Sequence, residues 1–310
     1  MSTKKEIKYF LFIVLFLDFL LGITCKYFYK VDNTGVITLI ASLVPAFIAI
    51  LLEKDFKLKD LSKDKFNLIY SLYFIIFIFF YILSFFSEKV LNKIDYVVYL
   101  GWLISIYVLT IDDKRLRGKF NFALFLKWAF VVILIDTFRM GILNFYFQSD
   151  VDVTDLLTRV IGTFTIGLFS TIINLIFTMG EEYGWRYFLQ TRFQSLYGNR
   201  IGVLLTGIMW GLSHLPLYFF VFYSGIEGLY AGIDITVFCI TIGIVLGLIY
   251  MESRSVLTVT FIHLLHNMFM ANVTSTDYNQ DFIFTKEFLL VSVIIAILVY
   301  TPFLLNKKYN

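Results

Sequence analysis

A succession of long apolar runs decides what this chain can fold into. Runs near residues 9 to 28, 35 to 52, 67 to 86, 95 to 111, 120 to 147, 156 to 180, 201 to 223, 233 to 251, 255 to 272 and 287 to 305 approach the length of a membrane crossing. Such a crossing takes about 20 predominantly apolar residues. Backbone polar groups in hydrocarbon find no water, so each crossing must satisfy its own hydrogen bonds as a helix. The expected fold is all-α, a polytopic transmembrane helix bundle of about ten helices, eight to ten in range. Charge is correspondingly sparse: 16% of residues are Asp, Glu, Lys or Arg, where soluble chains carry about 25%.

The cations that remain sit between the runs and alternate in density. Lys4, Lys5, Lys8, the lysines of 54 to 65, the basic run of 114 to 119, Arg186, Arg192, Arg200, Arg254, Lys307 and Lys308 fall on one set of loops. Lys26, Lys30, Lys89, Lys93, Arg139, Arg159 and Lys286 fall on the other. The positive-inside rule then predicts that both termini are cytoplasmic. Cations placed this way are topology signals and contacts for membrane lipid headgroups, so no nucleic-acid partner is expected. The stretch from Glu53 to Asn67 mixes Lys, Asp, Phe56, Leu58 and Leu61. It reads either as a short helix on the inner membrane surface or as a solvated loop.

Nothing divides the chain into soluble domains. Residues 1–150 read as N-terminal transmembrane helices of unassigned role, 151–275 as a polar-marked helical core and 276–310 as a C-terminal transmembrane helix. Cys25 and Cys239 fall inside apolar runs and read as small hydrophobes. The first run lacks a small-residue cleavage site, so it reads as a retained helix.

Ionisable side chains are expensive in lipid and tend to mark function there, and they gather in the second half of the chain. Glu181, Glu182 and Arg186 end one run, His214 lies inside the next, and His263, His266 and Asn267 lie in a third. The three histidines of the chain are all among them. On a helix Glu182 and Arg186 are four apart and positioned to pair, while Glu181 points about 100° away. A paired Glu182 is structural. An unpaired Glu181 in a poorly solvated site suits a general base. Trp210 precedes His214 by four residues, which puts the ring on the same helix face. Pro216 just beyond is expected to kink that helix and free a carbonyl. His263 and Asn267, again four apart, present two donors on one face, a pair suited to an oxyanion. His266 is left as a supporting or structural residue.

Several known chemistries for cutting a peptide in a membrane do not fit. No histidine opens an HExxH zinc motif. Tyr223-Ser224-Gly225 lacks the leading Gly of a rhomboid-like Gly-x-Ser-Gly, and Ala231-Gly-Ile-Asp234 does not meet the presenilin-like Gly-x-Gly-Asp. What remains is EExxxR at Glu181–Arg186, an aromatic four residues before His214, and HxxxN at His263–Asn267. This set resembles the CPBP family of CAAX-processing and bacteriocin-processing enzymes, also called Abi, over roughly residues 155 to 272.

That resemblance implies an intramembrane endopeptidase acting on a membrane-associated or lipidated peptide. It implies that Glu181 and His214 activate the attacking water, that Glu182 and Arg186 brace the helix, and that His263 and Asn267 hold the oxyanion. Trp210 stands where the family usually has Phe. The chemistry is open between a metal-independent route, which is preferred, and a metalloprotease with Glu181, His214 and His263 as Zn²⁺ ligands. No other cofactor is expected. The rival readings are a non-catalytic membrane scaffold or bacteriocin self-immunity protein with the same fold and, ranked lower, a proton-coupled transporter. The Lys-, Ile- and Phe-rich composition favours a bacterial plasma membrane.

Overall fold

A computed structural model describes residues 1–28, 34–147, 154, 158, 161–163, 170, 172–274 and 284–310. Lys30, Arg159 and much of the apolar run near 156 to 180 lie outside the described residues. Among those described the chain is helical throughout, with no strand. The long helices are α1 (Thr3–Phe28), α2 (Thr34–Glu53), α3 (Lys65–Ser84), α5 (Asp95–Val108) and α7 (Phe122–Phe147), with the single turns α4 (Glu88–Leu91) and α6 (Lys114–Arg117) between them. Next come α8 (Leu175–Glu182), α9 (Thr191–Tyr197), α10 (Asn199–Leu217), α11 (Gly225–Ser253), α12 (Val256–Thr274) and α13 (Lys286–Tyr300).

Six of these segments, built on α1, α2, α3, α10, α11 and α13, are long and apolar enough to cross a membrane. α5 is short, at 14 residues, and α12 contains a shorter apolar stretch, Val256–Asn272. α7 is long but carries Lys127, Asp136 and Arg139. The outer surface is that of a lipid-embedded bundle, for Phe12, Leu103, Phe130, Leu134, Phe138 and Leu298 are each more than half exposed. So much bare apolar surface would be a liability in water.

The loops that carry most of the cations meet at one end of this bundle. The N-terminal ammonium lies 3.4 Å from Asp55, and Glu6 accepts from Arg192 Nε at 2.6 Å. Arg200 reaches Asn310 (2.8 Å), and the Lys119 N–H donates to the Ser253 carbonyl (2.7 Å). Arg115 ties the first of these loops to the rest through Asp64 and Asp113. The stretch after Glu53 forms a turn and then a 3₁₀ helix, Leu58–Lys63, that buries Leu61 and leaves Phe56 and Leu58 exposed.

Two cations counted as loop residues prove to be interior. Arg186 is 1% exposed beside Glu182, and Arg139 is buried in α7 with its guanidinium 4.2 Å from the Phe238 ring centroid. Both contact rings from other helices, Trp210 and Phe238, so position relative to the nearest loop did not reveal their burial.

Close helix contact sets the site. α2 packs along α8 and the wide turns that follow it, and two glycines permit the approach. A Cβ on Gly180 would collide with the Ser42 carbonyl oxygen, and one on Gly184 would fall 2.6 Å from the Pro45 carbonyl carbon. Neither position admits a side chain without separating the helices.

Candidate active site

α8 does not end at Glu182 but widens. Residues Tyr183–Gln190 continue as a π-helix before α9 resumes α-helical geometry. π turns are rare and recur at functional sites. The widened stretch buries Trp185, Arg186, Phe188 and Gln190. A second π stretch, Tyr218–Phe222, follows Pro216 at the end of α10. Proline has no N–H to offer the carbonyl four residues back, here that of Leu212, so the helix loosens just beyond His214.

The two adjacent glutamates face different surroundings. Glu182 is wholly buried; its Oε1 accepts from His263 Nδ1 at 2.7 Å, and its Oε2 lies 3.2 Å from Arg186 Nε. The guanidinium of Arg186 lies over the Trp210 ring, 4.2 Å from its centroid. The contact to Glu182 is a charge contact without hydrogen-bond alignment, and Nε, Nη1 and Nη2 have no hydrogen-bond acceptor. Glu181 points the other way and accepts from the Trp210 indole N–H at 2.9 Å.

Trp210 therefore partitions the site. On one side its ring meets His263 edge-on, with centroids 5.3 Å apart. On the other, Glu181 and His214 line a cavity with about 40 Å³ of water-accessible space, closed by Asp18, Ser42, Ser213 and Leu217 among others. A water needs about 10–15 Å³ by this measure, so the cavity has room for about three or four. His214 Nδ1 lies 2.8 Å from the Trp210 carbonyl. A carbonyl only accepts, so Nδ1 carries a proton, and in the neutral form of the ring Nε2 is the nitrogen left to accept. By the same logic the proton on His263 Nδ1 is given to the Glu182 carboxylate.

The structure thus brings Glu181 and His214 to one cavity and gathers Glu182, Arg186 and His263 behind Trp210. Asn267 sits half-buried one turn beyond His263 on α12, and neither residue belongs to the cavity lining. His266 belongs elsewhere. Its Nδ1 donates to Asp136 Oδ2 at 2.7 Å, its ring stacks on Phe238, and Tyr300 donates to Asp136 Oδ1 at 2.9 Å. Sequence spacing could not pair His266 with Asp136 and Tyr300, which come from α7 and α13. Asp18 is another residue the sequence reading passed over. Its signal was present, as a carboxylate in the middle of an apolar run.

The three candidate zinc ligands lie on two sides of Trp210. Glu181 and His214 share the cavity while His263 is engaged by Glu182 beyond Trp210, and no group of three His, Cys, Asp or Glu among the described residues is placed to hold a metal ion. Cys25 and Cys239 are both free thiols.

With that geometry in view, comparison with known proteins is informative for one stretch of the chain. A search among curated proteins finds no match. Residues 165–269 match the family model described as type II CAAX prenyl endopeptidase Rce1-like. That stretch holds EExxxR, Trp210 with His214, and HxxxN, and closes on the residues that build the partitioned site. Over residues 165–269, about a third of its length, the chain is therefore similar to the Rce1-like type II CAAX prenyl endopeptidases, a protease family of the kind that its three motifs resemble.

Proposed function

We propose that the chain is an intramembrane endopeptidase that hydrolyses a peptide bond in a membrane-delivered or lipidated peptide with water activated by Glu181. The observation that carries this reading is the cavity in which Glu181 and His214 face the same water-sized space, inside a bundle whose outer face is apolar. Glu181 has one oxygen held by the Trp210 N–H, which fixes its rotamer and leaves the other to take a proton. His214 Nε2 accepts from the same water. The water oxygen then bonds to the substrate carbonyl carbon, and the oxyanion is held by Asn267 Nδ2 and by His263 Nε2 when that ring carries both protons. Collapse breaks the C–N bond, and the proton taken by Glu181 passes to the leaving amine.

The cavity is too small for a peptide, so the substrate engages at its rim, and Trp210 must move for one carbonyl to meet both Glu181 and His263. Substrates already in the membrane suit such a site, because a soluble peptide would bear the cost of entering the bilayer. Prenylated tails, leader peptides and transmembrane segments are the candidates. The divided donor set favours a metal-independent reaction. We further propose a bacterial plasma membrane, from the Lys-, Ile- and Phe-rich composition, with both termini cytoplasmic, from the cation-rich loops that meet at one end.

The test uses purified full-length protein in nanodiscs against three quenched-fluorescent peptides: a farnesylated C-terminal tail, a leader peptide and a transmembrane segment. Cleavage by the parent that is lost in Glu181→Gln and His214→Ala, and retained in excess EDTA or 1,10-phenanthroline, supports the proposal. Cleavage that chelators abolish and Zn²⁺ restores refutes the metal-independent step. A Glu181→Gln variant as active as the parent refutes the protease reading and favours a scaffold or immunity role.

A further inference from the structure

α1 lies outside the stretch that matches the family, yet it contributes a wall of the cavity. One face of this helix presents Phe10, Val14, Asp18 and Gly22 at successive intervals of four, the spacing of a single helical face. Phe10 stacks on Phe188 (5.0 Å between centroids) and meets Trp185 edge-on (5.5 Å), locking α1 to the π stretch that follows Glu182. At the other end a Cβ on Gly22 would come 2.9 Å from the Pro216 carbonyl oxygen, so α1 also rests against the turn that follows His214. Asp18 lies between these two contacts and is held in register with both walls of the cavity.

Its side chain is 3% exposed, lines the cavity together with Glu181 and His214, and leaves Oδ1 without any hydrogen-bond partner. A buried polar atom with no partner is rare in a folded protein and costly in a membrane. α1 could hold an apolar residue here at less cost, since its neighbours on this face at positions 10 and 14 are fully buried hydrophobes. Packing does not account for Asp18.

We infer that Asp18 is a further catalytic residue of this cavity, in which Oδ1 hydrogen-bonds the water that Glu181 deprotonates and fixes its orientation. The inference rests on the proposed function. With the two hydrogens of the water directed to Glu181 and to His214 Nε2, the Asp18 carboxyl in its neutral form donates its O–H to one lone pair and leaves the other for the substrate carbonyl carbon. The arrangement pre-organises the attacking oxygen, a contribution that misplacement by even one ångström erodes.

The test compares Asp18→Leu, Asp18→Asn and Glu181→Gln in nanodiscs, with the three quenched-fluorescent peptides as probes and thermal unfolding measured in parallel. Asp18→Leu should lower kcat by about 100-fold with KM within about twofold, while its Tm stays level or rises because an unpartnered buried carboxyl has gone. Asp18→Asn, whose amide still bonds water, should recover about tenfold of that loss. Asp18→Leu with parental kcat, beside an inert Glu181→Gln, overturns the role of Asp18 and leaves the protease reading standing. A fall in Tm with kcat per folded molecule unchanged overturns it too, by making Asp18 structural. A parent no more active than Glu181→Gln overturns both.

Discussion

Replacing Arg186 by Met removes one charge from a fully buried pair and leaves its partner behind. Glu182 would remain at 0% exposure with the His263 Nδ1–H, 2.7 Å away, as its remaining partner. Stranding a buried charge in this way costs about 3–5 kcal/mol. The lost stacking of the guanidinium on Trp210, 4.2 Å from the ring centroid, is part of that figure and is worth up to about 2 kcal/mol where water is excluded. Glu182→Gln strands Arg186 instead and should cost a similar amount. The double variant carries neither stranded charge, so it should be more stable than the sum of the two losses predicts by about 2–3 kcal/mol. At about 2 °C per kcal/mol for a chain of this size, each single variant should unfold about 6–10 °C below the parent. The assay is intrinsic tryptophan fluorescence during thermal unfolding in detergent, with the four proteins measured side by side. A single variant within about 2 °C of the parent, or a double variant whose loss equals the sum, would refute the claim that Glu182 and Arg186 form one buried unit.

Three other outcomes follow from particular contacts. Gly184→Ala would drive a methyl to 2.6 Å from the Pro45 carbonyl carbon, and overpacking of this kind costs about 1–3 kcal/mol; Tm should fall, and cleavage per folded molecule should fall with it as α8 shifts. Asp136→Ala leaves His266 and Tyr300 without their shared acceptor, at about 1–3 kcal/mol for each orphaned group; unfolding temperature should drop while KM is unchanged, because this cluster does not line the cavity. At the loop end, burial pushes the Asp113 carboxyl up, but the hydrogen bonds and charge of Arg115 outweigh it and hold the group below its ordinary range. A depressed carboxyl stabilises the fold above its unfolded pKa of about 3.9 and loses that contribution as pH falls through the lower folded value. The Tm gap between parent and Asp113→Asn should be constant near neutrality and shrink below about pH 4, and a gap that widens on acidification would reverse the assignment.

Local rules made the helices, the Glu182–Arg186 pair and the opposed direction of Glu181 legible in the sequence, because each depends on spacing within one helix. What was not legible depends on helices distant in sequence. His263 takes its hydrogen-bond partner from α8 and His266 takes Asp136 from α7, and no periodicity reports such pairings. The π-helix at Tyr183–Gln190 was hidden for a related reason. Its residues suit an ordinary α-helix, and the widening accompanies close packing on α2 and α1. Arg186 and Arg139 entered a count of loop cations because they stand near run boundaries, whereas the structure buries both. The fold class survived these errors since it rests on many apolar runs at once. The site rests on a few side chains, so one misplaced partner changes its description.

The adjacent glutamates show how one fold gives the same residue type two environments. A rotation of about 100° per residue sends Glu182 to the side where Arg186 and His263 wait, and Glu181 to the side where only an indole N–H meets it. A carboxylate flanked by a cation and an imidazole N–H is placed to brace the helix. One held by a single neutral donor, beside a cavity with room for a few waters, keeps an oxygen free to face that space. Trp210 makes the difference durable, because its edge bonds Glu181 while its face covers Arg186, so the cation that neutralises one carboxylate is screened from the other. Exchanging the environments would require only that the helix turn, and the glycines of α8 pressed against α2 and the clamp of Phe10 on Trp185 and Phe188 are what prevent it. On the proposed function, catalytic competence in this bundle is therefore a matter of helix rotation, set by packing outside the three motifs as much as by the residues within them.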